Sequence, residues 1–320
     1  MHAYCTPPLS PNGKHFKYQL NNYSKLSTAL PIVRANKELS TTKTSLNSQL
    51  STLNFKMTDL LILLAVALAV SAVGWKYFVY FFSLGYGYGI AALAVAMAVM
   101  HYSSLTLPAV LLLVLLFIFG MRLATYLLVR ERKAAGYRKI LYGEGHQDKK
   151  PAGVMIMIWL FCALLYVAQV SPVAFRLANG PHVSELWAWI GAAVVACGIL
   201  LESISDAQKA AAKKRNPKRF VDTGLYRIVR CPNYLGEVTI WTGVLLSAIG
   251  AGLTLWQWLI AAVGYAGIVF VMFSGARRLE LRQNKAYGDD PEYQAYVRKT
   301  PILLPLVPIY SVAEYEWLKA

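Results

Sequence analysis

Long apolar runs separated by short basic stretches dominate the chain. Seven of them approach the ~20 residues an α-helix needs to cross a hydrocarbon core. They lie near 59–80, 86–106, 108–129, 152–175, 184–204, 234–250 and 252–273. The last two are short, and Gly250 and Gly252 predict a tight hairpin between them; Pro108 marks a similar join between the second and third. The pattern predicts an all-α, polytopic integral membrane protein with about seven transmembrane helices. Residues 1–56 read differently: Ser, Thr, Asn and Lys abound, Glu38 is the lone acid, and no apolar period is visible. A transit peptide, a disordered tail and a translation start at Met57 all fit that composition. The chain divides into this tail, N-terminal transmembrane helices over 57–151, and a C-terminal membrane domain over 152–320.

Composition sharpens the picture. The chain is 57% hydrophobic and 15% charged, against about 25% charged for a soluble domain. Net charge is +16, from 32 Lys and Arg against 16 Asp and Glu. In a soluble protein that excess would suggest nucleic acid. Here the cations gather between apolar runs, so the expected partner is the bilayer, with no nucleic acid. Arg130, Arg132, Lys133, Arg138, Lys139, Lys149 and Lys150 lie in one loop, eight Lys or Arg lie in 205–233, and the stretch after Phe273 is basic too. With seven spans these share one side, which the positive-inside rule makes cytosolic. The expectation is a multi-pass protein of the endoplasmic reticulum or an organelle, its C-terminus cytosolic. The four Cys and five His are scattered without metal-ligand spacing, so no metal is expected. Neither a dinucleotide fingerprint nor a P-loop is present.

Three polar clusters border the predicted cytosolic face. Arg122, Tyr126 and Arg130 fall four apart on one helical stripe. Arg122 lies inside a span, where a charge is costly unless it is paired or faces a cavity. Glu202 and Asp206, also four apart, precede the basic run Lys213, Lys214, Arg215, Lys218 and Arg219. These carboxylates can orient that run or bind ribose hydroxyls. The run itself reads equally as a solvated loop at lipid headgroups. The third cluster is "GLYRIVRCPNYLGE", residues 224–237. Pro232 can open a helix, which puts Asn233 and Glu237 on one face. A carboxylate there needs a partner: a ligand donor, or Arg230 or Arg278 in a structural clamp. Further on, Arg278 and Arg282 are four apart with Glu280 between them; Gly288 and Pro291 predict a helix break, and Pro301, Pro305 and Pro308 an extended tail.

"GLYRIVRCPNYLGE" followed by "SGARRLE" and "YGDDPEYQAYVRKTPILLP" resembles the steroid 5-alpha-reductase C-terminal domain superfamily, and most closely its DUF1295 branch. The upstream "MRLATYLLVR" and "EGHQDKK" are similar to that branch as well. The resemblance covers roughly 110–308. It implies a membrane reductase that takes NADPH in a cytosol-facing pocket and transfers hydride to an activated carbon–carbon double bond of a hydrophobic lipid substrate. Carried over, it makes Asn233, Tyr234 and Glu237 the nicotinamide-side motif and Asp206 the adenine-side acid. Arg122, Arg230 and Arg278 become phosphate-binding cations, and Glu280 the acid after the last span. Arg215 and Tyr226 complete the cofactor-binding candidates, and Tyr126 and Glu237 are the catalytic ones. The chain carries Cys231 where that branch usually has His. It also has no Asp or Glu between Leu60 and Arg130, which argues against a 3-oxo-4-ene steroid as substrate. The isoprenylcysteine carboxyl methyltransferase family has a similar loop and implies S-adenosylmethionine instead. A non-catalytic membrane scaffold is a third class.

Overall fold

The computed structural model describes residues 57–133, 151–180 and 184–318. The expectations for 1–56 and for Arg138, Lys139, Lys149 and Lys150 fall outside them. Among the described residues the protein is all-helical: α1 (57–71), α2 (Leu84–Met100), α3 (Leu107–Lys133), α4 (Ala152–Asn179), α5 (Leu186–Arg215), α6 (Pro232–Leu246), α7 (Leu255–Tyr287) and α8 (Pro291–Lys299). Six helical stretches are long and apolar enough to cross a membrane: Met57–Trp75, Phe78–Met100, Leu107–Arg132, Ala152–Asn179, Leu186–Arg215 and Leu255–Tyr287. The protein is a multi-pass membrane protein.

The sixth expected span is the exception. α6 has 15 residues, about 22 Å at 1.5 Å per residue, short of the ~30 Å hydrocarbon core. It still runs the full course beside α5, because glycines let the two backbones touch. A Cβ on Gly191 would stand 2.6 Å from the Gly243 carbonyl, and one on Gly198 would stand 2.7 Å from the Gly236 carbonyl. The reciprocal contacts are as tight. Each helix therefore offers two glycines seven residues apart, and the pairing sets α6 antiparallel to α5. Small residues at such crossings replace the hydrophobic drive that lipid cannot supply. One end of this pairing brings Gly236 against the Glu202 backbone.

Two other helices run further than the apolar pattern predicts. α5 continues through Asp206 to Arg215 because the Ala- and Lys-rich stretch after Asp206 has high helix propensity. Glu202 and Asp206 thus sit within a continuous helix. α7 carries on through the Arg277–Glu280 region to Tyr287. Thr254 caps its start in a reciprocal arrangement with Gln257. α7 crosses α4 at Gly264, where a Cβ would meet the Ala168 carbonyl. That carbonyl has lost its helical donor to Pro172, and Ser171 Oγ donates to it instead at 2.8 Å.

The end away from the basic loops is closed by Arg176, 2% exposed, which donates to the Ser247 carbonyl at 2.9 Å and to the Ser184 carbonyl at 2.5 Å. Gly250 and Gly252 adopt φ of 72° and 65° there, as the predicted hairpin requires. Also buried is the pair His101 and Asp59, 3.5 Å apart, which ties α1 to the end of α2.

Candidate functional site

The cluster forms where the α5–α6 glycine contacts end. Because Gly236 lies on Glu202, the next residue of α6, Glu237, comes to the same level of the bundle as the α5 carboxylates. Arg122 reaches in from α3. Its Nη2 is 2.5 Å from Glu202 Oε1 and its Nη1 is 3.4 Å from Asp206 Oδ2. The charge within a span is therefore paired, and the side chains of Glu202 and Asp206 are only 5% and 13% exposed. Their four-residue spacing, legible in the sequence, lets one guanidinium engage both.

Glu237 has a partner the sequence did not indicate. Tyr86 Oη on α2 donates to Glu237 Oε1 at 2.6 Å, and Trp241 Nε1 donates to Tyr86 Oη at 2.9 Å. Trp241 is one turn below Glu237 on α6, so three side chains from two helices form a buried chain. Aromatic edges pack round it: Phe119 meets both the Tyr86 and Trp241 rings, and Tyr166 lies 5.2 Å from Tyr86. Nothing local in the sequence singles Tyr86 out from the other tyrosines of the N-terminal helices.

Polar atoms remain unused at this site. Arg122 Nε, Glu202 Oε2 and Asn233 Oδ1 are buried without a hydrogen-bond partner among the described residues. Such groups cost about 1–3 kcal/mol each unless something else satisfies them. Asn233 sits one turn before Glu237 on the same face of α6. Cations converge on this turn from three helices. Lys209 of α5 lies within electrostatic reach of Arg130 of α3, Arg282 of α7, Asp206 and Cys231. Tyr234 is flanked by Arg278 and Arg282, and its ring touches α7 at Gly275. Tyr126 lies under the Arg130 guanidinium, 5.6 Å from the ring centroid, and faces Asp206 and Arg122.

Apart from Arg278, the remaining expected residues go elsewhere. Arg230 and Glu280 pair with each other at 2.7 Å, each side chain 1% exposed. Arg230 also donates to the Tyr310 carbonyl, while Glu280 Oε2 accepts from the Val312 amide at 2.8 Å. They hold the C-terminal segment and stand apart from the Glu237 group. Tyr226 Oη donates to the Ser205 carbonyl at 3.3 Å, and its own carbonyl accepts from Tyr296 at 2.7 Å, so it packs the loop onto α5. Burial pushes the Tyr226 hydroxyl well above its ordinary range. Arg215 is exposed at the end of α5, nine residues beyond Asp206. Arg278 is exposed on α7 beside Tyr234. Burial holds the Cys231 thiol up at about 12, so it is neither a nucleophile nor a base near neutrality. Among the described residues no group of His, Cys, Asp and Glu could hold a metal ion.

A family model described as "Protein of unknown function (DUF1295)" matches residues 79–300. No curated protein matches the chain. No solved structure matches it either.

Proposed function

The chain belongs to the DUF1295 family, and from that premise we propose that it is a membrane reductase. It would use NADPH to reduce an activated carbon–carbon double bond of a lipid at the cytosolic face. The observation that carries this reading is the convergence of Arg130, Lys209, Arg278 and Arg282 on the turn that bears the unsatisfied Asn233 Oδ1. Like charges brought together near a low-dielectric region repel, so the arrangement suits a polyanion. A carboxamide oxygen in want of a donor suits an amide N–H. A pyridine dinucleotide phosphate offers phosphates and a primary carboxamide in one molecule, whereas S-adenosylmethionine carries no phosphate. The residues present therefore fit NADPH.

In this reading Arg278, Arg282 and Lys209 hold the phosphates, and Asn233 accepts from the carboxamide of the nicotinamide. When bound, NADPH supplies a hydride. The chain supplies orientation, the exclusion of water and a proton. Phe119, Tyr166 and Trp241 keep the inner side dry. The Glu237–Tyr86 pair is the relay placed to supply that proton: a protonated Glu237 that donates to Tyr86 Oη would free the Tyr86 proton for a developing enolate, while Trp241 Nε1 occupies the other lone pair. Tyr126 borders the same group from the mouth side. Arg122 orients Glu202 and Asp206 by pairing with both. Fixing the reactants in this way contributes through lost entropy already spent on folding.

The test is ligand-dependent thermal stabilisation of the purified protein in detergent. NADPH is expected to raise Tm, by an amount that grows with its concentration as RT ln(1 + [L]/Kd). Stabilisation by S-adenosylmethionine alone overturns the reductase reading in favour of methyl transfer, and indifference to both favours a scaffold.

A further inference from the structure

The family match stops at residue 300, yet the chain beyond it is packed. Residues 310–318 run back along α7, antiparallel to it. Their contacts descend the helix in order. The Val312 amide donates to Glu280, Arg277 Nε donates to the Ala313 carbonyl at 3.1 Å, and the Trp317 ring stacks on Phe270 with centroids 6.3 Å apart. Glu280 to Phe270 is ten residues, about 15 Å of helix axis. Between Leu255 and Ala276 α7 carries no charge. Phe270 therefore lies about 10 Å inside the first arginine, Arg277.

The segment has two faces. Val312 and Leu318, 1% and 2% exposed, join the hydrophobic core. Tyr315 and Trp317 point outward, Trp317 being 70% exposed. Glu314 and Glu316 are exposed beside them. Two carboxylates exclude hydrocarbon depth. Two outward aromatics next to a membrane-crossing helix suit the interfacial layer, where Trp and Tyr concentrate. The same end of the molecule carries exposed Arg227, Arg298 and Lys299 around the apolar Ile228 and Leu306. A basic rim about an apolar tip is the pattern of a surface that lies on anionic lipid.

We propose that residues 310–318 form a strap that re-enters the membrane interface, with the lipid bilayer as its partner. Tyr315 and Trp317 occupy the boundary between acyl chains and headgroups beside Phe270, while Glu314 and Glu316 face water. Arg230 and Glu280 anchor the root of the strap through the Tyr310 carbonyl and the Val312 amide. The proposal stands independently of the chemistry assigned above.

The experiment uses the full chain with Cys5 and Cys197 replaced by Ser, in vesicles of phosphatidylcholine and phosphatidylserine. A nitroxide is placed at Trp317→Cys or at Glu314→Cys. At 317 collision with oxygen is expected to dominate over collision with a water-soluble nickel chelate, and at 314 the order reverses. Strong nickel collision at both positions overturns the strap. A milder variant gives an independent reading. Trp317→Phe should remove a measurable share of the tryptophan quenching caused by lipids brominated near the headgroup. Unchanged quenching overturns the proposal.

Discussion

Tyr86 and Glu237 stand 151 positions apart in the chain and are joined by a hydrogen bond of 2.6 Å, buried between α2 and α6. The bond ties the N-terminal helices to the most characteristic motif of the sequence. Tyr86→Phe removes the donor and leaves a buried carboxylate oxygen unsatisfied. The expected loss of stability is about 1–3 kcal/mol, read as a lower Tm in detergent. If Tyr86 also donates a proton, turnover falls by more than NADPH affinity does. Equal losses would assign it to support alone.

Glu237→Gln keeps the shape and replaces an acceptor by an amide. Should Glu237 contact the cofactor, NADPH binding weakens by about 1.5–3 kcal/mol, the range for hydrogen bonds to charged groups. Unchanged affinity with a lower Tm would mark it as a partner of Tyr86 only. Titration by isothermal calorimetry separates the two.

Arg278 lies exposed beside Tyr234. If it reads the 2′-phosphate, Arg278→Ala weakens NADPH more than NADH. Loss of equal size for both, in the same binding assay, removes that role.

The Arg230–Glu280 pair is fully enclosed. Breaking it singly, as Arg230→Met or Glu280→Gln, is expected to cost about 3–5 kcal/mol, because the remaining group is stranded without its partner. Arg230→Met combined with Glu280→Leu should cost less than the sum of the single changes. A double-mutant cycle by thermal unfolding measures that coupling, and strict additivity would show that the two do not act as a pair.

Gln169, 2% exposed on α4, has both side-chain polar atoms buried without a hydrogen-bond partner among the described residues. Gln169→Leu is therefore expected to raise Tm, by about 1 kcal/mol of stability or more. A lower Tm would mean that the amide is satisfied in the membrane.

Much of this architecture was legible in advance because crossing a membrane demands a long apolar run, and a single run suffices to see it. α3 and α4 follow their predicted stretches within four residues, whereas α1 ends at 71 against an expected 80 and α2 at Met100 against an expected 106. The ends of α5 and α7 were not visible. Hydropathy reports where lipid stops, whereas a helix of Ala, Lys and Arg continues into water on propensity alone. The site was legible only in part. The spacing of Glu202 and Asp206, and of Asn233 and Glu237, placed each pair on a face. The partners Arg122 and Tyr86 come from other helices, and no local period encodes a contact across 80 or more residues. Arg230 and Glu280 look in the sequence like ligand-binding charges. Whether a motif residue holds a ligand or holds the chain depends on which backbone passes nearby, and that was fixed by residues beyond the motif.

The brevity of α6 has a consequence for where two dissimilar molecules can meet. A 15-residue helix is about 8 Å shorter than the hydrocarbon thickness, and its residues are all buried or half-buried, so the shortfall is taken up inside the bundle rather than by the bilayer. The Asn233 turn thereby becomes the floor of a recess between the longer helices. A solute arriving from water descends further there than at α5 or α7. A lipid sliding in its leaflet needs to lift only a little to reach the same floor.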